Sequence, residues 1–166
     1  MKFFLIIFVS LSLFNIGHSQ FTLNDDALDL GNNQFQLTPN EQWKTGSVWY
    51  QIKHNLDDSL AVKGQMYFGS NDDGADGIAF VMQQNCLGSG SSGGGIGYEN
   101  MSGRSIGIEF DTYENSGGFP NDPAYDHIAI QQNGNIDHLS ADQLSGPVQM
   151  HNTKTDVEEK KLVTPL

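Results

Sequence analysis

The stretch Ser105-Ile106-Gly107-Ile108-Glu109-Phe110-Asp111-Thr112 decides how this chain reads. Its alternation makes it a β-strand, with Ile106, Ile108 and Phe110 on one face and Gly107, Glu109 and Asp111 on the other. Two carboxylates side by side on one strand face repel each other and lose hydration, so they need a cation, a shared proton or open water. A metal ion is the most economical of these partners.

Downstream the pattern runs on as Glu-x-Asp-x-Tyr-x-Asn (Glu109, Asp111, Tyr113, Asn115), then a glycine-containing loop, then Asp-x4-His (Asp122, His127). Carboxylates with an amide oxygen and a backbone carbonyl suit calcium, whereas an imidazole with carboxylates suits a transition ion such as manganese. Two adjacent ions could share Asp111 and Asp122. Each residue singly reads as a solvated acid, a turn asparagine or a surface histidine; the order and spacing of the set carry the signal.

Outward from this strand, short apolar runs alternate with Gly, Asn, Asp and Ser clusters, and no long window sustains a helical stripe. The chain reads as all-β, with strands expected over residues 47–53, 61–68, 77–83, 105–112 and 127–132. Gln132-Asn133-Gly134-Asn135 has the composition of a type I′ hairpin turn. Short strands with long loops favour a two-sheet sandwich or jelly roll over a parallel α/β fold. Gly88-Ser89-Gly90-Ser91-Ser92-Gly93 matches G-x-G-x-x-G, but Gly94-Gly95-Ile96-Gly97-Tyr98 does not open a helix. It reads as a loop, since a pyrophosphate site needs the helix N-terminus.

Composition bounds the function. The 166 residues allow one domain; 19 glycines with 5 prolines and 17% charged residues fit a turn-rich globular protein, not collagen, a coiled coil or a disordered chain. Lys and Arg total 8 against 20 Asp and Glu, a net charge of −12, which excludes an electrostatic grip on nucleic acid. Residues 1–19 read as a secretory signal: Lys2 is the basic start, an apolar run follows, and Gly17-His18-Ser19 supplies small residues for cleavage before Gln20. The expected product is secreted and has no membrane span in its mature chain. Cys86 is the single cysteine, cannot form an internal disulfide, and reads as a small buried residue. A domain is expected over 20–150, shorter than the about 200 to 250 residues common for such a sandwich. Residues 151–166 read as a tail or as the start of further strands, which leaves truncation at the C-terminus open.

The segment from Glu109 to His127 resembles the metal loop of L-type (legume-lectin-like) lectins. Gly74-Ala75-Asp76-Gly77-Ile78-Ala79-Phe80-Val81 is similar to that family's Ala-Asp-Gly loop entering a strand, and Gly93-Gly94-Gly95-Ile96-Gly97-Tyr98 to its glycine-rich loop. Leu37-Thr38 and Gly46-Ser47-Val48-Trp49-Tyr50 extend a weaker likeness toward the N-terminus. The resemblance implies an antiparallel, concanavalin-like jelly-roll sandwich that binds glycans or glycoconjugates without catalysis. It implies Glu109 and His127 on a Mn2+ or other transition ion, Asp111 and Asp122 bridging both ions, and the Tyr113 carbonyl with Asn115 on Ca2+. Sugar would meet Asp76, after a cis peptide, the backbone amide of Gly95 or of Gly94, the Tyr113 ring and Asn115. Two departures stand out: the loop 116–121 is longer than in legume members, and Ile128-Ala129-Ile130-Gln131 replaces their usual Ile-Gly-Ile-Asp, which alters the surroundings of the transition ion.

Two rival readings share these residues. Glu109-x-Asp111-x-x-Glu114 also resembles the strand motif of laminarinase-like jelly-roll hydrolases, which need two carboxyls about 5 to 5.5 Å apart for retention. Without a bulge, strand parity sends Glu114 to the face opposite Glu109. A metal-stabilised adhesive module would use every metal residue but not Asp76 or Gly95. Asn100-Met101-Ser102 is a glycosylation sequon, meaningful in a glycosylating pathway.

Overall fold

The computed structural model describes residues 20–70, 74–85 and 87–150; the expected signal, Cys86 and the tail 151–166 lie outside the described residues. The protein is all-β and antiparallel, consistent with a jelly-roll sandwich, and its described residues contain no α-helix. Strands β1 (Phe21–Asp25) and β4 (Gly46–Tyr50) pair, as do β2 (Leu28–Gly31) and β3 (Gln34–Gln36). The main sheet has four strands in the order β5 (Gly77–Gln83), β6 (Ser105–Asp111), β7 (His127–Gln132) and β8 (Gln143–Gln149). Among the described residues no helix is long and apolar enough to cross a membrane.

The expected strands 77–83, 105–112 and 127–132 form, the second ending at Asp111, and the one expected over 47–53 spans Gly46–Tyr50. The strand expected over 61–68 does not form: only an isolated bridge at Met66 stands there. Alternating apolar residues define a strand only when something covers them, and Val62 and Tyr67 are exposed. Strand β8 escapes sequence reading because Gly146 and Pro147 interrupt it. Its position beyond β7 tolerates a proline, and its pairing with β7 shifts register twice. The turn after β7 has φ of 61° at Asn133 and 67° at Gly134, the two positive angles a type I′ turn needs.

The alternation along β6 has an outcome that periodicity alone does not give. Ser105, Gly107, Glu109 and Asp111 form the more deeply buried face, while Ile106 and Ile108 on the other face are half-buried. Tyr98, Met101 and Ile136 cover the polar face as a small core, with Trp49, Ala79, Val81 and Ile96 packed against it. Gly107 makes room for Tyr98: a Cβ there would lie 2.6 Å from the ring. The Tyr98 hydroxyl lies 3.1 Å from Ser105 Oγ and donates to the Gln131 carbonyl at 3.4 Å, so the ring's polar end is satisfied inside the core.

Candidate functional site

Register builds the site. Asp111 lies directly opposite His127, Glu109 opposite Ala129 and Gly107 opposite Gln131, which puts Glu109, Asp111, His127 and Gln131 on one face. All four are buried, at 4%, 2%, 1% and 1% exposure. Buried charges at this density require compensation.

The loops complete it. Beyond β6, Tyr113 N–H donates to Asp111 Oδ1 at 2.8 Å and Asn115 N–H to Asp122 Oδ2 at 2.9 Å, folding the loop back over the strand end. Asn115 Nδ2 donates to Asp76 Oδ1 at 3.4 Å. The Ala75–Asp76 peptide is cis, and the Asp76 carbonyl accepts from Thr112 N–H at 2.9 Å and its hydroxyl at 3.2 Å. The glycine loop closes from the other side. A Cβ on Gly94 would sit 2.7 Å from Asn115 Oδ1, and one on Gly93 3.9 Å from Asp76 Oδ2. Gly95 is buried one step away against Ser91 and Glu99, in the one-turn 3-10 helix Gly93–Gly95, its N–H donating to the Ser92 carbonyl at 3.3 Å. The glycine brought against Asn115 is therefore Gly94. Tyr113 is 44% exposed beside the cluster, and Glu114 is exposed past the strand end.

Among the described residues, two groups of side chains could hold a metal: Asp111 with Asp122 and His127, and Glu109 with His127 and His138. His138 is the residue that sequence reading missed. It sits in the loop after the Asn133-Gly134 turn, where no periodicity marks it. The structure brings its Nε2 within 3.3 Å of Glu109 Oε1, 3.3 Å of Asp122 Oδ1 and 2.9 Å of His127 Nε2. Gln131, flagged as a departure in the sequence, donates to Glu109 Oε1 at 3.2 Å and to the Ile136 carbonyl at 3.0 Å. His127 Nδ1 lies 3.2 Å from the Tyr125 carbonyl, which can only accept, so the neutral ring carries its hydrogen there and turns the Nε2 lone pair into the cluster.

The electrostatics fit a cation. Burial pushes the Asp111 carboxyl up to about 7; the Tyr113 N–H opposes this, while the Asp122 charge adds to it. Burial likewise holds Asp76 above its usual value, against the pull of the Asn115 amide and with the Asp122 charge adding to the rise. For His127, burial acts downward but is outweighed by the Glu109 hydrogen bond, the Asp111 and Glu109 charges and the Tyr125 carbonyl, so its value rises. Asn115 Oδ1 and Asp122 Oδ1 are buried with no hydrogen-bond partner among the described residues. Orphaned oxygens among crowded carboxylates are what a calcium-type ion satisfies, and the imidazoles beside them suit a transition ion.

The model of the legume lectin beta-barrel domain family matches residues 14–164. This chain belongs to the L-type lectin family. Carbohydrate binding is the general function of that family, its members are typically non-catalytic, and they generally bind Ca2+ and Mn2+. The match takes in every element of this lectin domain from β1 to β8.

Proposed function

We propose that the protein is a secreted, metal-dependent glycan-binding domain without catalytic activity. One residue carries this reading: Asn115 donates through Nδ2 to Asp76, through its backbone N–H to Asp122, and keeps a buried Oδ1 with no hydrogen-bond partner among the described residues. It joins a half-buried carboxylate at the loop surface to the acidic cluster beneath. Asp111, Asp122, the Tyr113 carbonyl and Asn115 would hold Ca2+, and Glu109, Asp111, Asp122 and His127 the transition ion. Bound ions would supply the positive charge these carboxylates lack and so keep the loop 111–122 folded on the strand end.

Asp76 accepts hydrogen bonds from sugar hydroxyls, Asn115 Nδ2 donates to one, and the exposed Tyr113 ring packs on the sugar's apolar face. Gly94 lets the backbone come close, since any side chain there meets the Asn115 amide. On the hydrolase reading, Glu114 would have to stand beside Glu109. Strand β6 ends at Asp111 with Glu114 exposed beyond it, and Glu109 is buried under Gln131 and His138. The test is a glycan array probed with and without chelator. Binding that disappears on chelation and returns with Ca2+ and Mn2+ is expected; no binding by folded, metal-loaded protein would defeat the reading and leave the adhesive module. Export is checked by N-terminal sequencing of the released protein, expected to begin at Gln20.

A further inference from the structure

We propose that His138 is a direct ligand of the ion held by Glu109 and His127, so that this position takes a borderline ion such as Zn2+ or Co2+ in preference to Mn2+. This rests on the metal-binding part of the function proposed above and goes beyond the ligand set implied by the sequence, which has one histidine. Three ligand atoms sharing an ion at about 2.1 Å stand about 3.0 Å apart at right angles and about 3.4 Å apart at tetrahedral angles. His138 Nε2 stands 2.9 Å from His127 Nε2, 3.3 Å from Glu109 Oε1 and 3.3 Å from Asp122 Oδ1, and His127 Nε2 is 3.4 Å from Glu109 Oε1. These are ligand-to-ligand spacings around one centre.

Hydrogen bonding accounts for the arrangement less well. An imidazole Nε2 carries at most one hydrogen, so it can serve one of its three neighbours. Asp122 Oδ1 keeps no hydrogen-bond partner among the described residues although its side chain is 1% exposed. The side chains of His127, His138 and Glu109 are 2%, 4% and 5% exposed, so water does not relieve them either.

The loop is fastened in the position the proposal needs. His138 N–H donates to the Pro120 carbonyl at 3.0 Å, which ties it to the loop carrying Asp122. Asn121 Nδ2 donates to Asp137 Oδ1 at 2.8 Å, and Ile136 is buried in the core. A ligating Nε2 moves the ring's hydrogen to Nδ1, which lies 3.2 Å from Gln131 Nε2. Gln131 Oε1, buried without a partner among the described residues, is the atom of that amide able to accept it, but a full turn would take the amide's donor off Glu109 Oε1 and the Ile136 carbonyl, so loading requires Gln131 to readjust. A second imidazole among the ligands raises affinity along the series from Mn2+ to Co2+ and Zn2+.

The experiment uses the chelated full chain titrated with Co2+, Zn2+ and Mn2+, each alone, by calorimetry and visible absorption. The wild type is expected to bind Co2+ and Zn2+ at least tenfold more tightly than Mn2+. His138→Ala should weaken Co2+ and Zn2+ by about ten- to hundredfold, comparable to or beyond a lost partner of a ligand, and change the Co2+ spectrum. Pulsed electron paramagnetic resonance of the Cu2+-loaded wild type, which needs no variant to fold, should count two coordinated imidazoles. One imidazole, or unchanged or tighter Co2+ binding by folded His138→Ala, overturns the assignment and leaves the proposed glycan-binding function standing. A wild type that binds none of these metals overturns both.

Discussion

Asp76 and Asn115 sit at different points of the same hydrogen-bonded chain, and substituting each separates ligand contact from metal support. The Asp76 carboxylate is linked to the acidic cluster by its hydrogen bond with Asn115, and Asp76 is in neither metal group of the described residues. Asp76→Ala is therefore expected to remove a charge-assisted hydrogen bond of about 1.5 to 3 kcal/mol, roughly ten- to hundredfold in affinity, while metal content stays nearly intact. Asn115→Ala should lower both, because it removes Nδ2 from the sugar side and Oδ1 from the ion side. Sugar titration alongside elemental analysis of both variants checks this. Full sugar affinity in a folded Asp76→Ala protein would remove Asp76 from the site.

At the scale of the element, β6 carries both the chemistry and the close packing that holds it. Ser105 and Gly107 take the Tyr98 hydroxyl and ring, Glu109 and Asp111 face the metal cluster, and the strand makes unbroken pairings on both sides. Gly107→Ala places a methyl against the Tyr98 ring and should cost about 1 to 3 kcal/mol as overpacking, read as a lowered melting temperature. An unchanged melt would mean the ring has another place to go. The burial of Glu109 on this strand, with Glu114 exposed beyond its end, predicts that β-glucans and other polysaccharides release no new reducing ends on incubation with the protein. Turnover abolished by Glu114→Gln would reinstate the hydrolase.

Across the whole molecule, a net charge of −12 with carboxylates buried together makes stability depend on protons and cations. Asp111, raised from 3.8 to about 7 by burial first and then by the Asp122 charge against the Tyr113 hydrogen bond, binds a proton in the folded state that the unfolded chain releases near pH 4. His127 is raised as well, by Glu109 and Asp111 against the effect of burial. Both groups hold more protons folded than unfolded, so the metal-free protein should lose stability as pH rises from about 4 through about 7. Chemical denaturation of chelated protein across that range measures the slope. Ions that bind only the folded state compete with those protons, so adding Ca2+ with Co2+ or Mn2+ at pH 7.5 should raise the melting temperature most where the metal-free protein is weakest. A melt insensitive to both pH and metal would place the carboxylates in a solvated, unlinked setting.

What the sequence by itself determined is local. The two-residue period of 105–112 assigned Glu109 and Asp111 to one face, and Asn133-Gly134 specified a turn with two positive φ angles. The motif from Glu109 to His127 could be read because its residues lie on one strand, the loop after it and the start of the partner strand, so register alone brings Asp111 opposite His127. Only the tertiary structure decided which face of β6 is covered, since period says that faces differ and not what packs on them; Tyr98 and Ile136 come from loops on either side. It decided that Gly94 meets Asn115, because a run of three glycines offers no side chain to distinguish its members. It also brought in His138, which reaches Glu109 through the fold of a loop whose path is set by Pro120, Asn121 and the buried Ile136, contacts without any repeating pattern along the chain.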